Sequence, residues 1–155
     1  MRKLILLITL LTFTFSGIFG QTVEIKKVTY AKTAIDVPSG YHANDEYSIG
    51  NDLFSAQWLY LTKEMVDQGI SKQILGQFEA QMQYSKSTNV EFLSNGGQFS
   101  GKKYQLKEDS KMKFRILAFG TVNGQPLVLN MGFKEDPASN EKFDELMKKF
   151  IQFKD

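Results

Sequence analysis

The chain has 155 residues and no cysteine, which excludes a disulfide framework, a thiolate nucleophile, a thiolate metal site and a lipid-modified cysteine. Its 19 basic residues stand against 17 acidic ones. Two of the basic residues, Arg2 and Lys3, belong to an amino-terminal leader; without them the balance is 17 against 17, lacking the basic excess that a nucleic-acid-binding domain carries.

The leader reads "MRKLILLITLLTFTFSGIFGQ": two cations, an apolar run from Leu4 to about Phe15, then Ser16, Gly17 and Gly20. This is the order of a secretory signal peptide, and cleavage is expected after Gly20, leaving Gln21 as the new amino terminus. The alternative is an uncleaved anchor, but the strongly apolar stretch is shorter than the ~20 residues of a spanning helix. The expectation is therefore a signal peptide over 1–20, a single domain over 21–155, no stable membrane span after processing, and a periplasmic or secreted location. A chain of that length buries one substantial core; the whole chain has thirteen phenylalanines, of which all but Phe13, Phe15 and Phe19 lie beyond the leader.

Residues 23–37, "VEIKKVTYAKTAIDV", alternate loosely and favour β-branched and aromatic types, which predicts one or two strands. Pro38, Ser39 and Gly40 end them, because proline lacks a ladder donor and glycine eases a turn. Polar "HANDEYSIGND" follows as a loop or short hairpin. In "LFSAQWLYLT", residues 53–62, Phe54, Ala56, Trp58 and Tyr60 share one face, while Ser55, Gln57, Leu59 and Leu61 share the other. Both faces are partly apolar, as in a central strand covered on both sides or one with a half-exposed aromatic binding face.

The period then becomes helical: Val66, Ile70, Ile74, Phe78 and Met82 recur every four residues, with Leu75 beside them. Gly69 and Gly76 argue against one long helix. Ser71 as a cap, with Ile70 packing on Leu75, predicts a short first turn and a main helix over Lys72–Gln83. Asn123–Gly124 between two apolar runs predicts a two-residue type I′ hairpin. Its register pairs Val122 with Gln125, Ala118 with Leu129, Ile116 with Met131 and Phe114 with Phe133, gathering large apolar residues on one face. A final amphipathic helix is expected to start at Asp136–Pro137 or at Ser139. Phe143, Leu146, Met147, Phe150 and Ile151 form its stripe, and Asp144 and Glu145 stand four residues before Lys148 and Lys149.

"SNGGQFSGKKY", residues 94–104, approaches the spacing of a phosphate-binding loop. Lys103 stands where that loop needs Ser or Thr, and the alternation of Tyr104 and Leu106 with Gln105 and Lys107 is that of a strand rather than a helix start. A hairpin turn at "SNGG" between strands near 90–93 and 98–107, with Gly101 at a bulge or a close backbone approach, accounts for the same residues.

Other chemistry is thinly represented. His42 is the single histidine, which excludes a multi-histidine zinc site, and no G-x-S-x-G elbow is present. Ser100 with Lys103, and Ser110 with Lys113, match a serine–lysine spacing without its companion motifs. Asp45–Glu46 with Asp52, and Glu108–Asp109, lack the spaced oxygen ligands of a calcium loop and suit solvated turns. No cofactor is implied and no catalytic or metal-binding residue is assigned. Aromatic residues with a polar tip are favoured at recognition surfaces, so Tyr41, Tyr47, Trp58 and Tyr60 are the candidate binding residues, with Tyr84 and Tyr104 behind them. Core packing is the competing role for Trp58.

The order of parts is a strand ending "AIDVPSGY", with Pro38, Gly40 and Tyr41; a strand; a helix; a glycine-containing turn into "GKKYQL"; a long hairpin; and an amphipathic end. Over about residues 23 to 153 it resembles the PsbP-like fold, which includes the extrinsic photosystem protein, a nuclear-import accessory factor and many small exported bacterial proteins. That resemblance implies an antiparallel sheet packed by helices and a binding or accessory role, and it carries over no catalytic residue. The expected architecture is one α+β domain, an antiparallel sheet of about five to seven strands packed by a middle helix and a terminal helix. The expected function is that of an exported non-enzymatic module recognising another envelope protein. The alternative is a carrier for a small apolar ligand or lipid held between sheet and helix.

Overall fold

The computed structural model describes residues 23–107 and 111–154. The expected signal peptide with its cleavage site, the Glu108–Asp109 pair and Ser110 fall outside the described residues. The chain is α+β. It forms a two-stranded hairpin, β1 (Lys27–Tyr30) and β2 (Thr33–Asp36), and a six-stranded antiparallel sheet of β3 (Ser48–Gly50), β4 (Phe54–Tyr60), β5 (Tyr84–Ser94), β6 (Gly97–Leu106), β7 (Phe114–Val122) and β8 (Gln125–Phe133) in the order β3-β4-β8-β7-β6-β5. Two helices, α1 (Lys63–Asp67) and α2 (Ile70–Gln81), cover one face, and the β1–β2 hairpin with the carboxy-terminal segment covers the other.

The central hairpin has the register expected from its sequence, Val122 opposite Gln125 through Phe114 opposite Phe133. Both turn residues have positive φ, 49° at Asn123 and 75° at Gly124, the backbone that matches the right-handed twist of the strands. Asn95 and Gly96 repeat this between β5 and β6, with φ of 45° and 81°. Gly101 is at a close approach: a Cβ there would lie 2.0 Å from the Leu117 carbonyl oxygen. The third two-residue turn, Ala31–Lys32, also has positive φ, 46° and 69°, without a glycine or asparagine.

The three turns meet. Thr33 Oγ1 accepts hydrogen bonds from Asn95 Nδ2 at 2.8 Å and Asn123 Nδ2 at 3.4 Å, and Asn123 Nδ2 also donates to the Ala31 carbonyl at 2.8 Å. Tyr30, wholly buried, shares a 2.7 Å hydrogen bond with Ser94 and packs edge-on to Trp58, which stacks on Phe150 at 5.7 Å. Burial pushes the Tyr30 phenol far above its usual pKa, so it remains a neutral hydroxyl.

Three expectations need correction. The main helix begins at Ile70, not Lys72, because Gly69 takes a left-handed backbone (φ 74°) and sets the start two residues earlier; Ser71 lies buried inside the first turn and caps nothing. Thr62 caps the preceding short helix instead, accepting from the Met65 N–H. The carboxy-terminal helix is reduced to a 3₁₀ turn at Asn140–Lys142 and one α-turn, α3 (Met147–Phe150). The Asn140 side chain clasps both backbone groups of Phe153, and Gln152 pairs with Leu93 at the edge of β5, so the chain must bend between them. Phe143, Leu146, Phe150 and Ile151 are nevertheless buried, and the observed ion pair is Glu145–Lys148. Finally, β4 is covered fully on one side and only partly on the other. Phe54, Ala56 and Trp58 are in the core, whereas Leu59 on the opposite face is 48% exposed.

Candidate functional site

The half-covered face of β4 creates the site. Alternation points Ser55, Gln57, Leu59 and Leu61 toward the helical side of the sheet. Helix α2 seats Ile74 against Leu61 and Val128, with Ile70, Leu75, Phe78 and Phe119 around them, and stops short of Leu59. A groove of about 600 Å³ remains beside the helix, bounded by Tyr47, Leu59, Tyr60, Phe78 and Val128, with Gln57 and Asn130 between them and Asp45 at the rim. Its volume is within the range of ligand clefts.

The loop before β3 fixes Tyr47. Asp45 Oδ1 accepts the Tyr47 N–H at 2.8 Å, an Asx turn, and the Tyr47 ring meets Tyr60 edge-on at 6.0 Å. Tyr47 is 43% exposed, and Glu46 beside its hydroxyl raises the phenol pKa. The Tyr60 hydroxyl fastens the β1–β2 hairpin, accepting the Ala31 N–H at 2.9 Å and donating to the Thr29 carbonyl at 3.0 Å.

Of the four candidate binding residues, the structure thus brings Tyr47 and Tyr60 together. Trp58 borders the same groove, but it is 3% exposed and its ring is stacked in the core. Tyr41 is elsewhere, in a cleft of about 220 Å³ with Leu53, Phe143 and Met147, where its hydroxyl donates to Asp144. Burial and the Asp144 carboxylate raise the Tyr41 phenol pKa. Sequence does not mark Gln57, Leu59 or Asn130 as binding residues, and it places Phe78 only in the apolar stripe of the helix. Gln57 and Asn130 are direct cross-strand partners, and only that pairing gives them a joint role.

On the other side of α2 a cleft of about 390 Å³ is lined by Leu75, Glu79, Asn89, Lys102 and Tyr104 among others. Its central charges pair with each other: Lys102 Nζ is 3.1 Å from Glu79 Oε1, which also accepts the Tyr84 hydroxyl. Hydrogen bonding from Lys102 holds the Glu79 carboxyl below its ordinary pKa.

The remaining motifs are placed as follows. Ser100 and Lys103 lie three apart in β6 and point to opposite faces, so they cannot form an acylation pair. Gly96 and Gly101 are in a turn and a strand, with no helix start beside them. His42 is exposed, its backbone bridged to Gly50. Among the described residues no cluster of three or more His, Asp or Glu could hold a metal ion, and no helix is long and apolar enough to cross a membrane. No family model matches the chain, and neither a curated protein nor a solved structure is significantly similar to it.

Proposed function

We propose that the chain is an exported, non-enzymatic binding or accessory domain that recognises another envelope protein through the groove between α2, β4 and the loop before β3. The observation that carries this is the pairing of large apolar exposure with concavity: Tyr47 and Leu59 are two of the four large exposed hydrophobic residues among those described, and both line the 600 Å³ groove. Exposed apolar surface gathered in a cleft favours association over solvation. The signal-peptide pattern supports export, and the element order that resembles the PsbP-like fold supports an accessory role.

A carrier would need a cavity between sheet and helix. Leu61, Ile74 and Val128 with their neighbours fill the centre of that interface, and the two clefts lie at its sides rather than enclosed within it. A photo-reactive residue at Leu59, introduced in the cells that make the protein, should give a discrete protein adduct that disappears with Tyr47→Ala. The same residue at exposed Gln73 should give none. Equal labelling from both positions, or from neither, overturns the proposal. The intact mass of the exported chain should begin at Gln21; retention of Met1 would favour the anchored form.

A further inference from the structure

The groove has apolar walls and a polar floor. The floor is the cross-strand pair Gln57 in β4 and Asn130 in β8, and the same row continues past the groove to Ser48 in β3, which pairs with Gln57. Ser48 Oγ is buried without a hydrogen-bond partner. Neither the Gln57 nor the Asn130 carboxamide bonds to any described group, although both residues are half-buried and line the groove. The cleft beyond α2 is different, since there Lys102, Glu79 and Tyr84 bond to one another. The Gln57 and Asn130 carboxamides therefore present free donors and acceptors beneath Tyr47, Leu59 and Phe78.

This decides between classes of occupant. A hydrocarbon chain seated between Tyr47, Leu59 and Phe78 would strip water from two carboxamides and return no hydrogen bond, which is costly for each stranded donor or acceptor. An anionic lipid head would find no cation, because Asp45 is the one charged residue lining the groove. A peptide segment supplies both requirements: apolar side chains for the walls, and backbone N–H and C=O groups that a carboxamide can pair with as acceptor and donor together. We infer that the groove binds an extended peptide segment of the partner, neutral or basic, whose backbone amides are read by Gln57 and Asn130 while one apolar side chain lodges between Tyr47, Leu59 and Phe78. The inference rests on the groove being the docking site.

The test starts from a displayed library of random heptapeptides selected on the purified domain, with enriched sequences synthesised and their affinities measured by calorimetry. Three forms of the protein are compared: unaltered, Gln57→Met with Asn130→Leu, and Tyr47→Ala with Leu59→Ala. Gln57→Glu is a further single variant that keeps side-chain shape while removing the donor. Dodecanoate is the lipid probe, and thermal melts check that each variant is folded. The expected result is a roughly tenfold or greater loss of peptide affinity in the amide-deleted protein, a similar loss in the wall variant, a smaller loss in Gln57→Glu, and no dodecanoate binding. Peptides that need Tyr47 and Leu59 but bind the amide-deleted protein equally well overturn the inference while leaving the groove as the docking site. Dodecanoate binding that tightens when the amides are deleted overturns it in favour of a lipid. Peptides indifferent to both double variants overturn the inference and the groove together.

Discussion

Tyr60→Phe removes a single oxygen and separates two roles of one residue. The ring would still edge the groove, but the Ala31 N–H and the Thr29 carbonyl would lose their 2.9 Å and 3.0 Å partners. Ala31 is 1% exposed, so water cannot replace its acceptor, and a stranded buried donor costs ~1–3 kcal/mol. Thr29 is exposed, and its carbonyl can rehydrate at a cost of ~0.5 kcal/mol. The expected loss is about 2–3 kcal/mol, or a fall in midpoint temperature of roughly 5–10 °C for a domain of this size. Urea unfolding followed by fluorescence measures it directly, because Trp58 is the single tryptophan and packs against Tyr30 of the hairpin. Amide exchange should speed up most over residues 28–33, while affinity for a groove-binding peptide stays unchanged. A loss below ~0.5 kcal/mol, within the net worth of one ordinary hydrogen bond, or a loss with no local rise in exchange, would refute the idea that this hydroxyl fastens the hairpin.

Other substitutions test neighbouring features. Lys32→Gly, at φ 69°, should stabilise the chain by about 0.5–1 kcal/mol in chemical denaturation by removing a left-handed side-chain penalty. Gly101→Ala places a methyl 2.0 Å from the Leu117 oxygen and 2.6 Å from Ala118 Cα, so β6 and β7 must separate; a loss of ~3 kcal/mol or more is expected, visible as a lowered melting temperature. Glu79 has a folded pKa below its ordinary value of 4.5, so its contribution is whole above that value and drains away as pH falls through the lower, folded pKa. Stability measured from pH 6 downward should therefore decline less steeply in Glu79→Gln than in the unaltered protein, by a small amount because the Glu79–Lys102 pair is partly solvated.

Local chemistry made some of this architecture legible. Asn123–Gly124 carries its own backbone requirement and sits between matched apolar runs, so turn and register follow together. Ala31–Lys32 has no such mark; its backbone is held by Asn123, Tyr60 and Thr33-bound amides from remote segments, which no local window contains. The terminal stripe of Phe143, Leu146, Phe150 and Ile151 correctly identified a buried face, but a bent chain can bury the same residues, and the clasp from Asn140 to Phe153 chose the bend. At the site, exposed Tyr47 was accessible to residue-type reasoning. Gln57 and Asn130 were not, because each is an ordinary polar strand residue until β4 and β8 are paired.

The clustered turns also constrain the order in which the protein can be built. The β1–β2 hairpin precedes every segment that secures it: Ser94, Asn95, Asn123 and Phe150 all come later in the chain. A chain that emerges amino terminus first must therefore carry Tyr30, and then Trp58, with their aromatic faces uncovered until nearly the last turn is available. Attachments between such distant segments form slowly compared with local ones. The hairpin, synthesised before the sheet, is thus among the last parts to be secured, and a chain cut short before Phe150 would retain most of its sheet while leaving the aromatic layer open to aggregation.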